Sequence, residues 1–434
     1  MKKDSFEPGD LIQVTTLSEE IKGTFLPSNN RELLSLKLPS GYNLSIKKSE
    51  VKSIILLEKH VPKVEKQIET KSKSNLPTIT ILHTGGTISS RVDYTTGAVY
   101  PQFSPEDLIK KFPKLKEYAN IKSKLISNIP SESIRFHHYN LIAKEIEKEI
   151  NSKVNGIIIT HGTDTLHYTS AALSFILEDL PIPVILVGSQ RSSDRPSSDA
   201  SLNLISAARF IKETDFAGVA ICMHNSVDDT KAAILPACKT RKLHTSRRDA
   251  FKPINSSPIA IISDKIEFFT KDYNKKENKK LKLKPIKENL KIGILKAHPN
   301  MLSREIDNYN SFDALIIEGT GLGHIATEKI DQKTSENERT LFSIKKLAKK
   351  IPVMMTSQCI FGRVDMDVYS PQRKLQEAGV INNNSDITTE TAFIKATWLL
   401  SNHKKEFYEL WNKNLRGEIN DRILPEHYLD EKEA

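Results

Sequence analysis

Short β-branched runs that end in loops of glycine and hydroxyl residues constrain this chain more than any other feature. Thr78-Ile-Thr-Ile-Leu leads into Thr84-Gly-Gly-Thr, Gly156-Ile-Ile-Ile into His161-Gly-Thr-Asp-Thr, and Pro183-Val-Ile-Leu-Val into Gly188-Ser-Gln-Arg. Gly218-Val-Ala-Ile-Cys is a fourth run of the same kind. Short runs of mostly apolar, β-branched residues with few or no polar positions read as strands covered on both faces. Helical periodicity fills the intervals at 140–150, 168–178 and 202–212. This alternation predicts a parallel sheet with helices on both faces. Ligand crevices in such sheets form beyond the carboxyl ends of the strands, so three polar loops at three strand ends can converge on one site.

The rest of the chain divides by pattern. At 434 residues it exceeds one ordinary core. Residues 1–60 alternate apolar and polar positions between turn signals, as a small β-barrel-like domain does, and 61–76 are a polar linker. The α/β pattern with the polar loops occupies 77–270, and a lysine-rich linker follows at 271–290. Strands resume at Lys291-Ile-Gly-Ile-Leu, Ala314-Leu-Ile-Ile and Pro352-Val-Met-Met, with helices at 335–349 and 389–412. These make 291–415 a smaller C-terminal α/β domain, and 416–434 an exposed tail.

Sixty-four basic against fifty-four acidic residues leave a net charge of +10. Such a balance permits a nucleic-acid partner. The densest block, 264–291, holds few stacking aromatics and reads as a solvated linker rather than a single-strand reader. Three scattered cysteines, no apolar run long enough to cross a bilayer and no secretory leader are the pattern of a cytoplasmic protein.

The polar loops narrow the chemistry. Thr84-Gly-Gly-Thr alone reads as an ordinary strand–helix connection, and no Gly-Lys-Ser/Thr follows to make it a phosphate loop. In the second loop, Asp164 or Thr165 can cap the helix that follows. A hydroxyl nucleophile needs a proton acceptor, and that acceptor an orienting group. Thr163, Asp164 and Lys242 supply a hydroxyl, a carboxylate and an ammonium for such a relay. No Gly-x-Ser-x-Gly elbow and no His-Glu-x-x-His helix offers a serine triad or a zinc site.

Thr84-Gly-Gly-Thr-Ile, His161-Gly-Thr-Asp-Thr-Leu and Thr356-Ser-Gln-Cys, in this order and spacing, resemble the L-asparaginase superfamily over residues 77–415. The resemblance implies a two-domain, Rossmann-like parallel-sheet architecture and a two-step acyl transfer. It implies Thr87 as the acyl-accepting nucleophile and Tyr94 as its neighbour on a loop. It implies Thr163, Asp164 and Lys242 as a second catalytic cluster, and Ser131 and Glu132 as the segment that binds the substrate's α-groups. No metal or other cofactor is implied. His324 stands near where asparaginases carry an asparagine, a departure from the pattern.

Ordinary asparaginases begin close to the nucleophile strand, and here a β-rich segment precedes it. With Gly188-Ser-Gln-Arg where the generic family carries Ala-Met-Arg after the glycine, the chain is similar to the glutamine-hydrolysing D subunits of archaeal tRNA-dependent amidotransferases. That likeness implies glutamine as substrate and a partner, the E subunit, which uses ATP with Mg to activate Glu-tRNA(Gln). It also implies a homodimer core within a heterotetramer, away from membranes. A free-standing asparaginase or glutaminase is the competing enzyme reading, and a non-catalytic scaffold the reading from another class.

Overall fold

The structure is a computed structural model that describes residues 6–7, 9–26, 28, 30, 32–38, 43–59, 75–86, 90–92, 99–101, 111–191 and 198–428. The chain divides into two compact units.

The smaller unit is built on β1 (Leu11–Thr16), β2 (Glu20–Leu26), β3 (Leu33–Lys37), β4 (Asn43–Lys47) and β5 (Val51–Glu58), paired antiparallel in the order β4-β3-β2-β1-β5. Every second residue of β1 is buried, the period a one-sided sheet requires. Ile12, Val14, Ile21, Leu34, Leu36 and Ile46 form its core.

The larger unit begins with β6 (Thr78–His83). A short hairpin, β7 (Ser90–Val92) with β8 (Val99–Pro101), falls by chain contacts in the smaller unit. Next come β9 (Asn120–Leu125), β10 (Gly156–Thr160), β11 (Leu177–Glu178), β12 (Pro183–Val187) and β13 (Gly218–His224). They are followed by β14 (Ala232–Pro236), β15 (Thr240–Lys242), β16 (Phe251–Pro253), β17 (Ala260–Ile262) and β18 (Ile266–Phe268). The main sheet runs β18-β17-β14-β13-β12-β10-β6-β9. From β9 to β13 it is parallel, whereas β14, β17 and β18 join antiparallel. The sequence expects parallel strands throughout. The antiparallel margin corrects this, because β17 and β18 are three residues each and too short to stand out as apolar runs.

Helices Phe136–Asn151 and Leu166–Ile176 cover one face and Ala200–Glu213 the other. The C-terminal part carries β19 (Lys282–Leu283), β20 (Ile292–Lys296), β21 (Ala314–Gly319), β22 (Val353–Ser357) and β23 (Val380–Ile381). Its sheet is parallel in the order β20-β21-β22-β23. Helix Thr389–Asn402 shares one core with helix Leu166–Ile176 and with Ile316 and Met354 of this sheet, so the two α/β parts pack as one body. The rings of Phe175 and Trp398 lie 5.4 Å apart across that junction.

Two segments read as loose from sequence are tied down. In the lysine-rich stretch, β19 pairs with β11, and the Asn140 side chain bonds both the N–H and the carbonyl of Ile286. The Lys276 ammonium donates to the carbonyls of Ile211 and Thr214 at 2.9 and 2.7 Å. In the expected tail, Glu418 is wholly buried and accepts from Lys395 at 2.6 Å. Arg416 donates to the Ser174 carbonyl at 3.0 Å. Part of the charge that marks these segments as solvated is thus matched by partners in the body, while most of 271–280 is exposed.

Candidate active site

The parallel strands β9-β6-β10-β12-β13 place the first strand between the second and third, so winding reverses between β6 and β10. A crevice opens beyond the carboxyl ends of two strands at such a reversal. The loops after β6 and β10 meet there. A Cβ on Gly86 would sit 2.4 Å from the Gly162 nitrogen, and one on Gly162 would sit 2.8 Å from the Ser131 hydroxyl oxygen. Only glycine lets three backbones approach this closely, and Gly86 also has a φ of +83°, costly for a side chain.

Two buried histidines hold these loops from below. His83 ends β6 and bridges the Thr160 hydroxyl at 2.8 Å to the Ser123 hydroxyl at 2.7 Å, linking β10, β6 and β9. Burial lowers its pKa to about 4, so it is neutral at pH 7. His161 has its pKa lowered to about 4 by burial, against a contact to the Gly162 carbonyl that raises it. Its Nδ1 must donate to that carbonyl at 2.6 Å, so Nε2 accepts from the Thr169 hydroxyl at 2.8 Å.

Lys242, on β15, reaches into this crevice. Its ammonium donates to the Thr163 hydroxyl at 2.9 Å and to the Asp164 carboxylate at 2.8 Å. The Lys242 side chain is 10% exposed and that of Asp164 is 64% exposed, so the cluster opens from a sheltered amine to water. Strand alternation sends the neighbouring Arg241 the other way, to Glu390 at 3.0 Å, while Lys239 meets Asp386 at 2.7 Å. The same hairpin therefore carries Lys242 and is pinned to the C-terminal part. Burial raises the pKa of Glu390, against the attraction of Arg241. His167, 3.9 Å from Glu390, is pushed down to about 3 by burial, then by Arg241 and Lys242.

Of the residues singled out from sequence, Thr163, Asp164 and Lys242 are brought together in this way. Ser131 is buried beside Gly162, and its carbonyl accepts from the Thr165 hydroxyl at 2.6 Å. Glu132, next to it, is exposed. Thr87 and Tyr94 lie outside the described residues.

Sequence reading used Gln190 only as part of the Gly188-Ser-Gln-Arg block and gave no site role to it, Arg241 or Glu390. Gln190 follows β12, and its carboxamide oxygen is 3.5 Å from the Thr163 hydroxyl. Its signal was the polar residue at a strand end; Glu390 gave none, since a carboxylate in a first helical turn is ordinary. Among the described residues, no group of three or more His, Cys, Asp or Glu is placed to hold a metal ion, and no helix is long and apolar enough to cross a membrane. Chemically, the crevice offers a hydroxyl, a carboxylate and an amine within one hydrogen-bonded set, beside glycines that let the loop backbones approach closely. This is equipment for moving a proton and holding an oxyanion.

Comparison with known proteins accounts for all three parts of the chain. The GatD N-terminal domain family matches residues 6–57, the asparaginase N-terminal family 78–274, and the glutaminase/asparaginase C-terminal domain family 291–408. The glutamyl-tRNA(Gln) amidotransferase D subunit of Pyrococcus furiosus is 42% identical, covering 99% of this chain and 98% of the relative. The proteins of that name from Methanococcus maripaludis and Methanobrevibacter smithii are 41% and 40% identical, covering 96% and 97% of this chain. Among solved structures, the L-asparaginase of Thermococcus kodakarensis superposes with a TM-score of 0.70 at 29% identity, covering 80% of this chain and 100% of the other. L-asparaginase I of Vibrio cholerae gives 0.68 at 26%, over 80% of this chain and 99% of that one. With an asparaginase-type body, its glycine loops meeting at the sheet's reversal and a matching N-terminal domain, the chain belongs to the family of glutamyl-tRNA(Gln) amidotransferase D subunits.

Proposed function

We propose that this chain is the glutaminase subunit of a glutamyl-tRNA(Gln) amidotransferase, releasing ammonia from glutamine by acyl transfer through a threonine. The observation that carries the reading is the Lys242 ammonium bonded at once to Thr163 and Asp164, at the crevice where β6 and β10 diverge. Thr87 follows Gly86 in the first loop, and its hydroxyl attacks the side-chain amide carbon of glutamine. Tyr94, or the Thr163–Lys242–Asp164 relay with the Asp164 carboxylate as its final acceptor, takes the hydroxyl proton, since a threonine is a poor nucleophile with its proton in place. Backbone N–H groups of the glycine loops hold the oxyanion. The C–N bond breaks with a proton delivered to the nitrogen, ammonia leaves, and a γ-glutamyl ester remains on Thr87. Water, deprotonated by the same groups, then cleaves the ester to glutamate. Ser131 and Glu132 bind the α-carboxylate and α-amino groups, the exposed carboxylate of Glu132 suiting an ammonium.

No cofactor is required in this subunit for that sequence. The ammonia is captured by Glu-tRNA(Gln), whose γ-carboxylate a partner, the E subunit, activates with ATP and Mg as an acyl phosphate; ammonia attacks that carbonyl and phosphate leaves. This chain forms the homodimer core of the resulting heterotetramer and works in the cytoplasm. The test is ammonia release from glutamine and from asparagine, with and without the E subunit, ATP and Glu-tRNA(Gln). Glutamine hydrolysis that rises in the complete system is expected. Asparagine hydrolysis exceeding it and indifferent to the other components would give the chain to free-standing asparaginases. Thr87→Ala is expected to abolish hydrolysis while the folded protein still binds the E subunit; undiminished ammonia release removes Thr87 from the mechanism.

A further inference from the structure

We propose that Gln190 is a positioning residue for the Thr163–Lys242 pair, with its carboxamide oxygen as the acceptor that fixes the Thr163 hydroxyl proton. The inference rests on the glutaminase reading above and assigns a role to a side chain just outside the cluster.

The argument begins with proton inventory. A lysine ammonium only donates, so in the Lys242–Thr163 contact the threonine oxygen accepts. The hydroxyl's own hydrogen must then go elsewhere. Lys242 also occupies the Asp164 oxygen that it contacts. Among the described residues, the acceptor found for the Thr163 hydroxyl is the carboxamide oxygen of Gln190, at 3.5 Å. Turning the amide so that its NH2 faced Thr163 would fill the oxygen's second lone pair but strand the hydroxyl proton, for which no other acceptor is found among the described residues.

The position of Gln190 is built. Asp199, buried at the start of helix Ala200–Glu213, accepts from the Ser189 hydroxyl at 2.8 Å and from the backbone N–H groups of Gln190 and Arg191 at 2.9 and 3.0 Å. Asn203, on the next turn, donates to the Gly188 carbonyl at 3.1 Å. The loop is thus clamped by one carboxylate and one amide, and Gly188 lies against the Thr163 methyl, where a Cβ would come within 2.9 Å. The backbone that bears Gln190 cannot drift from Thr163.

A second observation is independent of that contact. The Gln190 NH2 is buried and has no hydrogen-bond partner among the described residues. A buried donor without a partner destabilises a fold, and an apolar side chain of the same length would remove the penalty. A carboxamide kept at that expense, with its oxygen on a catalytic-cluster hydroxyl, fits a role in turnover rather than in folding. The amide oxygen thereby fixes where the Thr163 hydroxyl proton points while the Lys242 ammonium donates to the hydroxyl oxygen.

The experiment compares Gln190→Met and Gln190→Glu with wild type in the complete complex, measuring kcat and KM for glutamine and the urea midpoint. Methionine matches the length and removes both polar atoms; glutamate keeps an acceptor oxygen and removes the NH2. Gln190→Met is expected to lower kcat about three- to tenfold, the loss of one hydrogen bond, with KM within about twofold and the urea midpoint unchanged or higher. Gln190→Glu is expected to recover most of kcat. The role is overturned if Gln190→Met turns over at the wild-type rate, if kcat and the urea midpoint fall together, or if Gln190→Glu is as slow as Gln190→Met. A wild-type complex that releases no ammonia from glutamine instead refutes the glutaminase reading, and this assignment with it.

Discussion

Lys239, in the turn before β15, and Lys242, at its end, stand three residues apart and are expected to fail in opposite ways when their charge is removed. Lys242→Met keeps the sheltered aliphatic stem and deletes the ammonium. The ion pair it loses is with Asp164, whose side chain is 64% exposed, and after discounting for solvent that pair contributes about 0–1 kcal/mol. The hydrogen bond to Thr163 adds about 1 kcal/mol, so folding should suffer by about 1–2 kcal/mol in all. Turnover should fall about 10²–10⁴-fold, the usual worth of a positioned proton-transfer group, or about 3–5 kcal/mol at 1.36 kcal/mol per tenfold. Lys239 turns instead to Asp386, bonding its carboxylate and its carbonyl. It is 1% exposed and its partner Asp386 0%, so Lys239→Met leaves a buried carboxylate without its cation, at a cost of about 3–5 kcal/mol. Asp386 keeps its bonds from Asn420, which limits the loss but supplies no charge. The assays are ammonia release coupled to glutamate dehydrogenase, and urea unfolding followed by the fluorescence of Trp398 and Trp411. Lys242→Met within about threefold of wild-type activity, or equal destabilisation by both variants, would refute this division between chemistry and packing.

Gly162→Ala should cost about 1–3 kcal/mol and at least tenfold in glutamine turnover, because its Cβ would lie 2.8 Å from Ser131 and overpack the crossing of two site loops. An alanine variant with full activity and stability would show that the loops yield. Stability should fall as pH drops from about 6.5 toward 4. His83 is held neutral in the fold at a pKa lowered to about 4, whereas the unfolded side chain takes a proton below about 6.5. Its share between pH 6.5 and 4.5 is about 2–3 kcal/mol. His83→Gln should therefore show a shallower acid dependence of the urea midpoint than wild type, and parallel curves would refute the assignment.

How much of this was legible in the sequence depended on how local the signal was. The strands β10, β12 and β13 announced themselves because burial on both faces demands nearly unbroken apolar runs, and β6 by its β-branched Thr-Ile-Thr-Ile. The convergence of Thr163, Asp164 and Lys242 followed from motif order, although Thr163 and Lys242 are 79 residues apart. What stayed hidden was charge satisfied at a distance. Glu418 and Arg416 looked like tail residues because their partners, Lys395 and the Ser174 carbonyl, are remote in the chain. Glu390 looked like a helix-start carboxylate because Arg241 reaches it only once the two α/β parts have packed. Polar side chains announce exposure in one dimension, and only the folded neighbours reverse that inference.

The seam made by Lys239 with Asp386 and Arg241 with Glu390 also restricts how this protein can be divided or recombined. Each contact draws its cation from the first α/β part and its anion from the second. Severing the chain between the parts would strand two cations on one fragment and two carboxylates on the other, on surfaces shaped to exclude water. Grafts between related proteins must then carry both halves, or replace cation and anion as a matched set. The glycine loops of the crevice belong to the first half, but the strand that delivers Lys242 is anchored in the second.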